Sequence, residues 1–306
     1  MRRVLIATEK PFAPAAVKQI SEIIGNAGYE VKLLEKYTSK ADLLDAVKDV
    51  HGLIVRSDIV DREVVDAASE LKVVVRAGSG FDNLDLTVCK ERGIVAMNTP
   101  GQNSNAVAEL AIGMMIFMAR GQFKGVSGTE LKGKTLGIYG CGYIGRRVAK
   151  VAQALGMKVL ALDPCITKIG METYDVLVAA SVEEIFEKSD YVSLHIPANA
   201  ETKKSIGLGL LSLMPKGGTL VNTARKEIID EEGLKKMFED RPDFKYVTDI
   251  APECHAELAE NYALRYYSTP KKQGAETAEA NINAGVAAAE QVVSYLEKGD
   301  RTFMVN

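Results

Sequence analysis

Apolar residues recur along this chain with two alternating periods. Short apolar runs at 4–7, 31–34, 53–55, 73–75 and 94–96 have the length and β-branched content of buried strands. Between them, apolar positions fall at helical spacing: Val17, Ile20 and Ile24, then Leu43, Leu44 and Val47 behind a capping Ser39, then Val64, Val65 and Ala68. Another helix is predicted near 84–91. Strand, helix, strand with short connections marks an open parallel sheet. Asn98-Thr99-Pro100-Gly101 interrupts the pattern, and 105–120 then reads as one long helix, apolar nearly all round, with Leu110, Met114, Phe117 and Met118. Such a helix is buried, either in the core or against a second subunit. From residue 135 the alternation resumes. Strands are predicted over 135–139, 157–162, 191–194, 219–222 and 245–248, and helices over 143–155 and 230–238. A last helix, 278–297, is rich in Ala and Val and long enough to run back to the first unit. The pattern predicts an α/β fold of two doubly wound parallel-sheet domains, with a boundary near residue 100.

Composition narrows the class. With 306 residues, 47% hydrophobic and 26% charged, the chain is globular and large enough for two domains. A net charge of −3, no run of more than two Lys/Arg, few aromatics and no Trp argue against a nucleic-acid partner. The longest apolar stretch is broken by Glu109 and too short to span a bilayer, and the N-terminus lacks a signal-peptide core. No membrane and a cytoplasmic location are therefore expected. Cys89, Cys141, Cys165 and Cys254 show neither a disulfide framework nor CxxC spacing, so no cysteine metal site is expected.

The candidate chemistry begins at Gly140-Cys141-Gly142-Tyr143-Ile144-Gly145, placed between the strand 135–139 and the helix 143–155. The first glycine permits the tight turn, the second lets the backbone approach a pyrophosphate, and the third lets helix and strand pack closely. The helix N-terminus offers its N–H groups to the phosphates. Asp163, at the end of the second strand and 18 residues after the third glycine, accepts from ribose hydroxyls and repels a 2′-phosphate. NAD rather than NADP is the predicted cofactor.

These features resemble the D-2-hydroxyacid dehydrogenases, most closely the short D-3-phosphoglycerate dehydrogenases without a regulatory domain. Leu53-Ile54-Val55-Arg56-Ser57 looks like the family's first substrate-binding strand end. Val75-Arg76-Ala77-Gly78-Ser79-Gly80 looks like its carboxylate-binding loop. The segment from Asn98 through Asn103 to Glu109 looks like the hinge and cofactor-contacting stretch, and 214–225 like the segment bearing the catalytic arginine. The resemblance implies two Rossmann/flavodoxin-like domains. One is a substrate-binding domain of 1–98 with 279–306, the other an NAD-binding Rossmann domain over 99–278. It implies Arg225 as the catalytic cation, since a guanidinium pairs a carboxylate bidentately and never deprotonates. The Ala77–Gly80 N–H groups would form an anion nest, with Arg56, Ser57, Arg76 and Asn103 as further substrate contacts. Cofactor contacts are implied for His195, Ile196, Pro197, Thr223, Ala224 and Asp249. A homodimer through helix 105–120, with closure of one domain on the other, is also implied.

The chain departs from the family at two places. The family's histidine after a Thr-Pro pair is here Lys271, in Ser268-Thr269-Pro270-Lys271-Lys272. The three histidines, His51, His195 and His255, lie elsewhere. An ammonium can donate a proton to a carbonyl oxygen, but acting as a base requires a pKa below the ordinary value of about 10.4. Lys271 is the candidate acid/base, with hydroxy-acid oxidation favoured at alkaline pH. The family's glutamate partner, five residues after Asp249, is here Cys254, so Glu253 is the candidate partner. His255, in the same loop, is either solvated or a substitute acid/base.

Three functions follow as expectations. The first is NAD-dependent oxidation of D-3-phosphoglycerate, a phosphorylated 2-hydroxy acid at the entry to serine biosynthesis. The second is another D-2-hydroxy acid dehydrogenase, or a glyoxylate/hydroxypyruvate reductase. The third, of another class, is an NAD-sensing protein with a decayed site.

Overall fold

The structure, a computed structural model, describes residues 1–306 apart from the side chains of residues 168 and 169. Its strands form two wholly parallel sheets. The first contains β1 (Arg3–Thr8), β2 (Glu30–Glu35), β3 (Gly52–Val55), β4 (Val73–Arg76) and β5 (Val95–Asn98), in the order β2-β1-β3-β4-β5. The second contains β6 (Thr135–Tyr139), β7 (Lys158–Leu162), β8 (Leu177–Val178), β9 (Tyr191–Leu194), β10 (Thr219–Asn222), β11 (Lys245–Thr248) and β12 (Tyr266–Ser268). Its order is β12-β11-β10-β9-β6-β7-β8. Both are doubly wound α/β sheets, as the periodicity predicts. The strand order reverses between β1 and β3 in one and between β6 and β9 in the other, the places where such sheets open a crevice beyond their carboxyl ends.

The chain divides into two compact units, Met1–Asn103 with Glu276–Asn306, and Ser104–Ala275. Residues 99–103 stay with the first unit because Thr99 N–H donates to Gly78 O (3.0 Å) and Ser79 Oγ to Asn103 Oδ1 (3.0 Å). Within each sheet the alternation of side chains separates two apolar faces. In the first, Leu5, Ala7, Leu53 and Val55 join one core cluster, and Val4, Ile6, Ile54 and Val75 join the other. In the second, Leu136, Ile138, Val159 and Ala161 lie on one side, and Leu160, Val192, Leu194 and Leu220 on the other. Helix Ala278–Lys298 starts at the Thr277 hydroxyl, which accepts from Ala280 N–H (3.1 Å), and covers β3 and β4 of the first sheet. Helix Ser104–Ala119 packs on helix Tyr143–Ala154, β10 and β11 within its own unit. Among the described residues, no helix is long and apolar enough to cross a membrane.

β8 and β12, of two and three residues, have no counterpart in the sequence reading, because so short a run carries no measurable period. Helices Val182–Lys188 and His255–Asn261 were likewise unforeseen.

Candidate active site

The register of the second sheet puts five strand ends level. Tyr139 pairs with Leu194, Leu194 with Asn222, Asn222 with Thr248, and Thr248 with Ser268. The residues that follow them, Gly140, His195, Thr223, Asp249 and Thr269, therefore form one row along the carboxyl edge.

At the head of the row is the glycine loop. Gly140 has φ +97°, and a Cβ there would lie 2.7 Å from the His195 carbonyl carbon. A Cβ on Gly145 would lie 2.2 Å from Gly140 O, so helix Tyr143–Ala154 can approach β6 only without a side chain there. A Cβ on Gly142 would meet nothing within 4 Å. That space, at a helix N-terminus beside the exposed Tyr143 and half-buried Ile144, suits a dinucleotide pyrophosphate. Asp163 accepts from Cys141 N–H at Oδ2 (2.7 Å) and from Cys165 N–H at Oδ1 (2.8 Å). A carboxylate has about four lone-pair sites, so these two bonds tie it to the glycine loop and still leave acceptor capacity for a ribose.

Further along the row, three buried polar atoms have no hydrogen-bond partner among the described residues: His195 Nδ1, Thr223 Oγ1 and Asp249 Oδ1. Leaving such an atom unmet costs roughly 1–3 kcal/mol, so a row of three beyond adjacent strands β9, β10 and β11 fits a ligand with its own donors and acceptors. The site fits NAD on that ground: the Asp249 oxygen can accept from a carboxamide, and the glycine loop can take the phosphates. His195 Nε2 meets Ser193 Oγ (3.0 Å), and burial pushes its imidazole down to about 4, so the ring is neutral at ordinary pH. The main-chain N–H of His195 donates to Tyr139 O (2.8 Å), and Ile196 and Pro197 continue the segment, Pro197 O accepting from Thr202 Oγ1 (2.6 Å).

Arg225 follows β10 by three residues, and its position is set by Asn222. This fully buried side chain accepts from Ala224 N–H (3.0 Å) and donates to Arg225 O (3.0 Å), closing the turn 222–225. The Arg225 guanidinium donates to Ala224 O (2.9 Å). Lys271 is exposed on the segment after β12. Glu253, the expected partner of Lys271, is engaged by a different lysine. Its carboxylate pairs with Lys226, which stands next to Arg225, while the Glu253 and Cys254 N–H groups both donate to the Glu231 carboxylate (2.8 Å each). The Lys226 ammonium holds the Glu253 carboxyl below its ordinary range. His255 is not a solvated loop residue, since Nδ1 lies 2.8 Å from Tyr266 Oη. Burial pushes the Cys254 thiol up to about 12, which rules it out as a thiolate.

In the first unit the expected substrate residues gather at the ends of β3, β4 and β5. Arg76 Nε donates to Arg56 O (2.9 Å), and a Cβ on Gly78 (φ +152°) would fall 1.8 Å from Arg76 Nη1. The guanidinium thus lies against the loop backbone. Gly78 O accepts from Thr99 N–H and Ser79 O from Asn98 Nδ2 (2.7 Å). Ala77 N–H donates to Val55 O (2.8 Å), which extends the β3–β4 ladder and removes Ala77 from the expected anion nest. Of the residues expected to form that nest, Gly78, Ser79 and Gly80 remain as candidates. Arg56 donates to Asn281 Oδ1 (2.5 Å), Pro11 O (3.2 Å) and Lys10 O (3.3 Å), and its guanidinium lies over Phe12. Ser57 beside it is exposed.

Sequence reasoning missed Asp58. It is 2% exposed and accepts from Glu9 N–H (2.7 Å), Tyr37 Oη (2.7 Å) and Arg56 N–H (3.1 Å), so it fixes the β3 end that carries Arg56. Only its spacing of two from Arg56 could have hinted at this.

Residues 106–270 match the pattern described as "D-isomer specific 2-hydroxyacid dehydrogenase, NAD binding domain". The chain belongs to that family. It is 34% identical to the D-3-phosphoglycerate dehydrogenase of Methanocaldococcus jannaschii over 96% of this chain but 57% of that protein. It is also 34% identical to the hydroxypyruvate reductase of Thermotoga maritima, over 91% of this chain and 95% of that one. Among solved structures, the NAD+-bound 3-phosphoglycerate dehydrogenase of Entamoeba histolytica superposes with a TM-score of 0.90 at 48% identity, covering 100% of this chain and 98% of that one. The chain thus spans little more than half of the archaeal relative and nearly all of the other two. Family membership identifies the row on the second sheet as the edge of an NAD-binding domain.

Proposed function

We propose that this chain oxidises D-3-phosphoglycerate to 3-phosphohydroxypyruvate with NAD. The observation that carries this reading is the full-length likeness, at 48% identity, to a 3-phosphoglycerate dehydrogenase with NAD+ bound. When bound, NAD accepts the hydride from C2 of the substrate. Arg225 pairs the substrate carboxylate and polarises the C2 oxygen, a task for a cation that holds its charge at every working pH. Lys271 Nζ takes the hydroxyl proton in oxidation and returns it in reduction. On the first unit, Arg56, Ser57, Arg76, Asn103 and the N–H groups of Gly78–Gly80 offer donors to an anionic substrate. On the second, Gly140, Gly142, Tyr143, Ile144, Gly145 and Asp163 hold the adenosine diphosphate portion, and His195–Pro197, Thr223, Ala224 and Asp249 the remainder. The working form is a homodimer, in keeping with the exposed Phe123 and Val126 that follow helix Ser104–Ala119. Elution at the mass of a single chain in size-exclusion chromatography with light scattering would refute that.

A second reading, hydroxypyruvate reduction, is favoured by the likeness to the Thermotoga protein over nearly its whole length. One assay separates them: NADH oxidation with phosphohydroxypyruvate and with hydroxypyruvate, for the wild type and Lys271→Ala. The proposal expects preference for the phosphorylated acid and a loss of roughly 100-fold or more in kcat for the variant, the usual weight of a general acid. Turnover of hydroxypyruvate alone supports the second reading. Full activity in Lys271→Ala removes the lysine from the chemistry.

A further inference from the structure

Lys271 has an exposed, flexible side chain, so whatever places its ammonium must act through the main chain. Pro270 before it has no N–H to bond. The segment is instead fastened by side chains at the level edge of the second sheet. Thr269 continues the β11–β12 ladder through its N–H to Thr248 O (3.1 Å). Its hydroxyl lies 2.7 Å from Lys271 O and 3.1 Å from Asp249 O. One hydroxyl proton makes one strong donation, and the shorter distance assigns it to the Lys271 carbonyl. On the far side of the lysine, Gly274 N–H (2.7 Å) and Gln273 N–H (3.3 Å) donate to Asp249 Oδ2. A Cβ on Gly274 would stand 2.9 Å from that oxygen, so the approach requires glycine. Thr269 is 5% exposed and Asp249 fully buried, and water competes little with bonds in such a place.

We propose that Thr269 is a positioning residue that, together with the Asp249 carboxylate, clamps the main chain of Lys271. The proposal rests on the reading of Lys271 as acid/base. It also gives Asp249 two faces: Oδ2 holds the lysine segment, and Oδ1 is left for the cofactor.

The test is Thr269→Val, which keeps the shape and removes the hydroxyl, beside Thr269→Ser, which keeps the hydroxyl. Each is made in the wild-type and Lys271→Ala backgrounds. The rate of phosphohydroxypyruvate reduction and the NADH dissociation constant are measured. Misplacing a catalytic group by about 1 Å can cost on the order of 100-fold, so Thr269→Val is expected to lower kcat roughly 10- to 100-fold while still binding NADH normally. Thr269→Ser is expected to recover most of that rate. In the Lys271→Ala background, Thr269→Val is expected to cost nothing more, because the group it positions is gone. Loss of activity in Lys271→Ala with a wild-type rate in Thr269→Val overturns the clamp alone. An equal penalty from Thr269→Val with and without the lysine also overturns it, as does loss of NADH binding, which would show that the hydroxyl serves the cofactor fold. Full activity in Lys271→Ala overturns the acid/base reading and, with it, the clamp.

Discussion

His195 shows how one buried side chain couples the cofactor edge to pH. Burial pushes its imidazole down to about 4, against about 6.5 in an unfolded chain. Between those values the unfolded chain binds a proton that the folded one refuses. Folded stability therefore falls as pH drops from about 6.5 towards 4 and is untouched by this group above 6.5. The full effect is on the order of 3 kcal/mol. Urea titrations of the cofactor-free protein between pH 5 and 7 should show this loss, and His195→Gln should show a shallower slope. An identical slope in the variant would sink the assignment. Glu253 makes the opposite case. It is itself exposed and its partner is the half-buried Lys226, and such solvent-facing pairs contribute about 0–1 kcal/mol. Glu253→Gln is expected to keep kcat and its pH profile close to wild type. A drop comparable with that of Lys271→Ala would restore Glu253 to the chemistry. The sequence suggested otherwise because a family position one residue away pointed to Glu253, while its actual partner lies 27 residues distant and is marked by no local pattern.

At the scale of elements, what could be read in advance depended on length and locality. The glycine turn was legible because a strand, three glycines, a helix and an acid stand in one continuous segment, each demanding the next. β12 was not legible, and with it went the level row of strand ends that brings Thr269 beside Asp249. That juxtaposition comes from register between strands remote in sequence, and register is specified by tertiary packing. Arg225 and Lys271 were reached only through resemblance, since a strand-end arginine or a loop lysine has no signature of its own. The link between Asp163 and the glycine turn is likewise tertiary, and it shapes a prediction about cofactor choice. Asp163→Ser removes the charge proposed to repel a 2′-phosphate while keeping a hydroxyl near Cys141 N–H. NADPH should then be used at least about tenfold better relative to NADH, since opposed like charges cost several kcal/mol. Unchanged preference in the ratio of kcat/KM values would mean that the carboxylate serves the turn alone.

At the scale of the whole chain, each unit carries its own core. The two clusters that sandwich the second sheet draw on residues from Ala108 to Tyr267, and the two around the first sheet on residues up to Met97 and from Ile282 onward. Helix Ser104–Ala119, long and largely apolar, packs against helix Tyr143–Ala154 and strands β10 and β11 of its own unit. The cofactor loop, Asp163, His195, Thr223 and Asp249 all belong to Ser104–Ala275 as well. This unit is one unbroken stretch of chain, whereas the other is completed only when helix Ala278–Lys298 returns to β3 and β4. A fragment of residues 104–275 is therefore expected to unfold cooperatively on heating and to bind NADH, read by fluorescence, with an affinity within about tenfold of the full chain, a difference of roughly 1.4 kcal/mol. It should turn over no substrate, because the proposed substrate donors Arg56, Arg76 and the Gly78–Gly80 loop are absent from it. The complementary fragment, 1–103, lacks the covering helix over Val4, Ile54 and Val75 and should not melt cooperatively unless residues 276–306 are added. A non-cooperative 104–275 fragment, or one that binds no NADH, would show that the cofactor edge depends on the first unit for its stability.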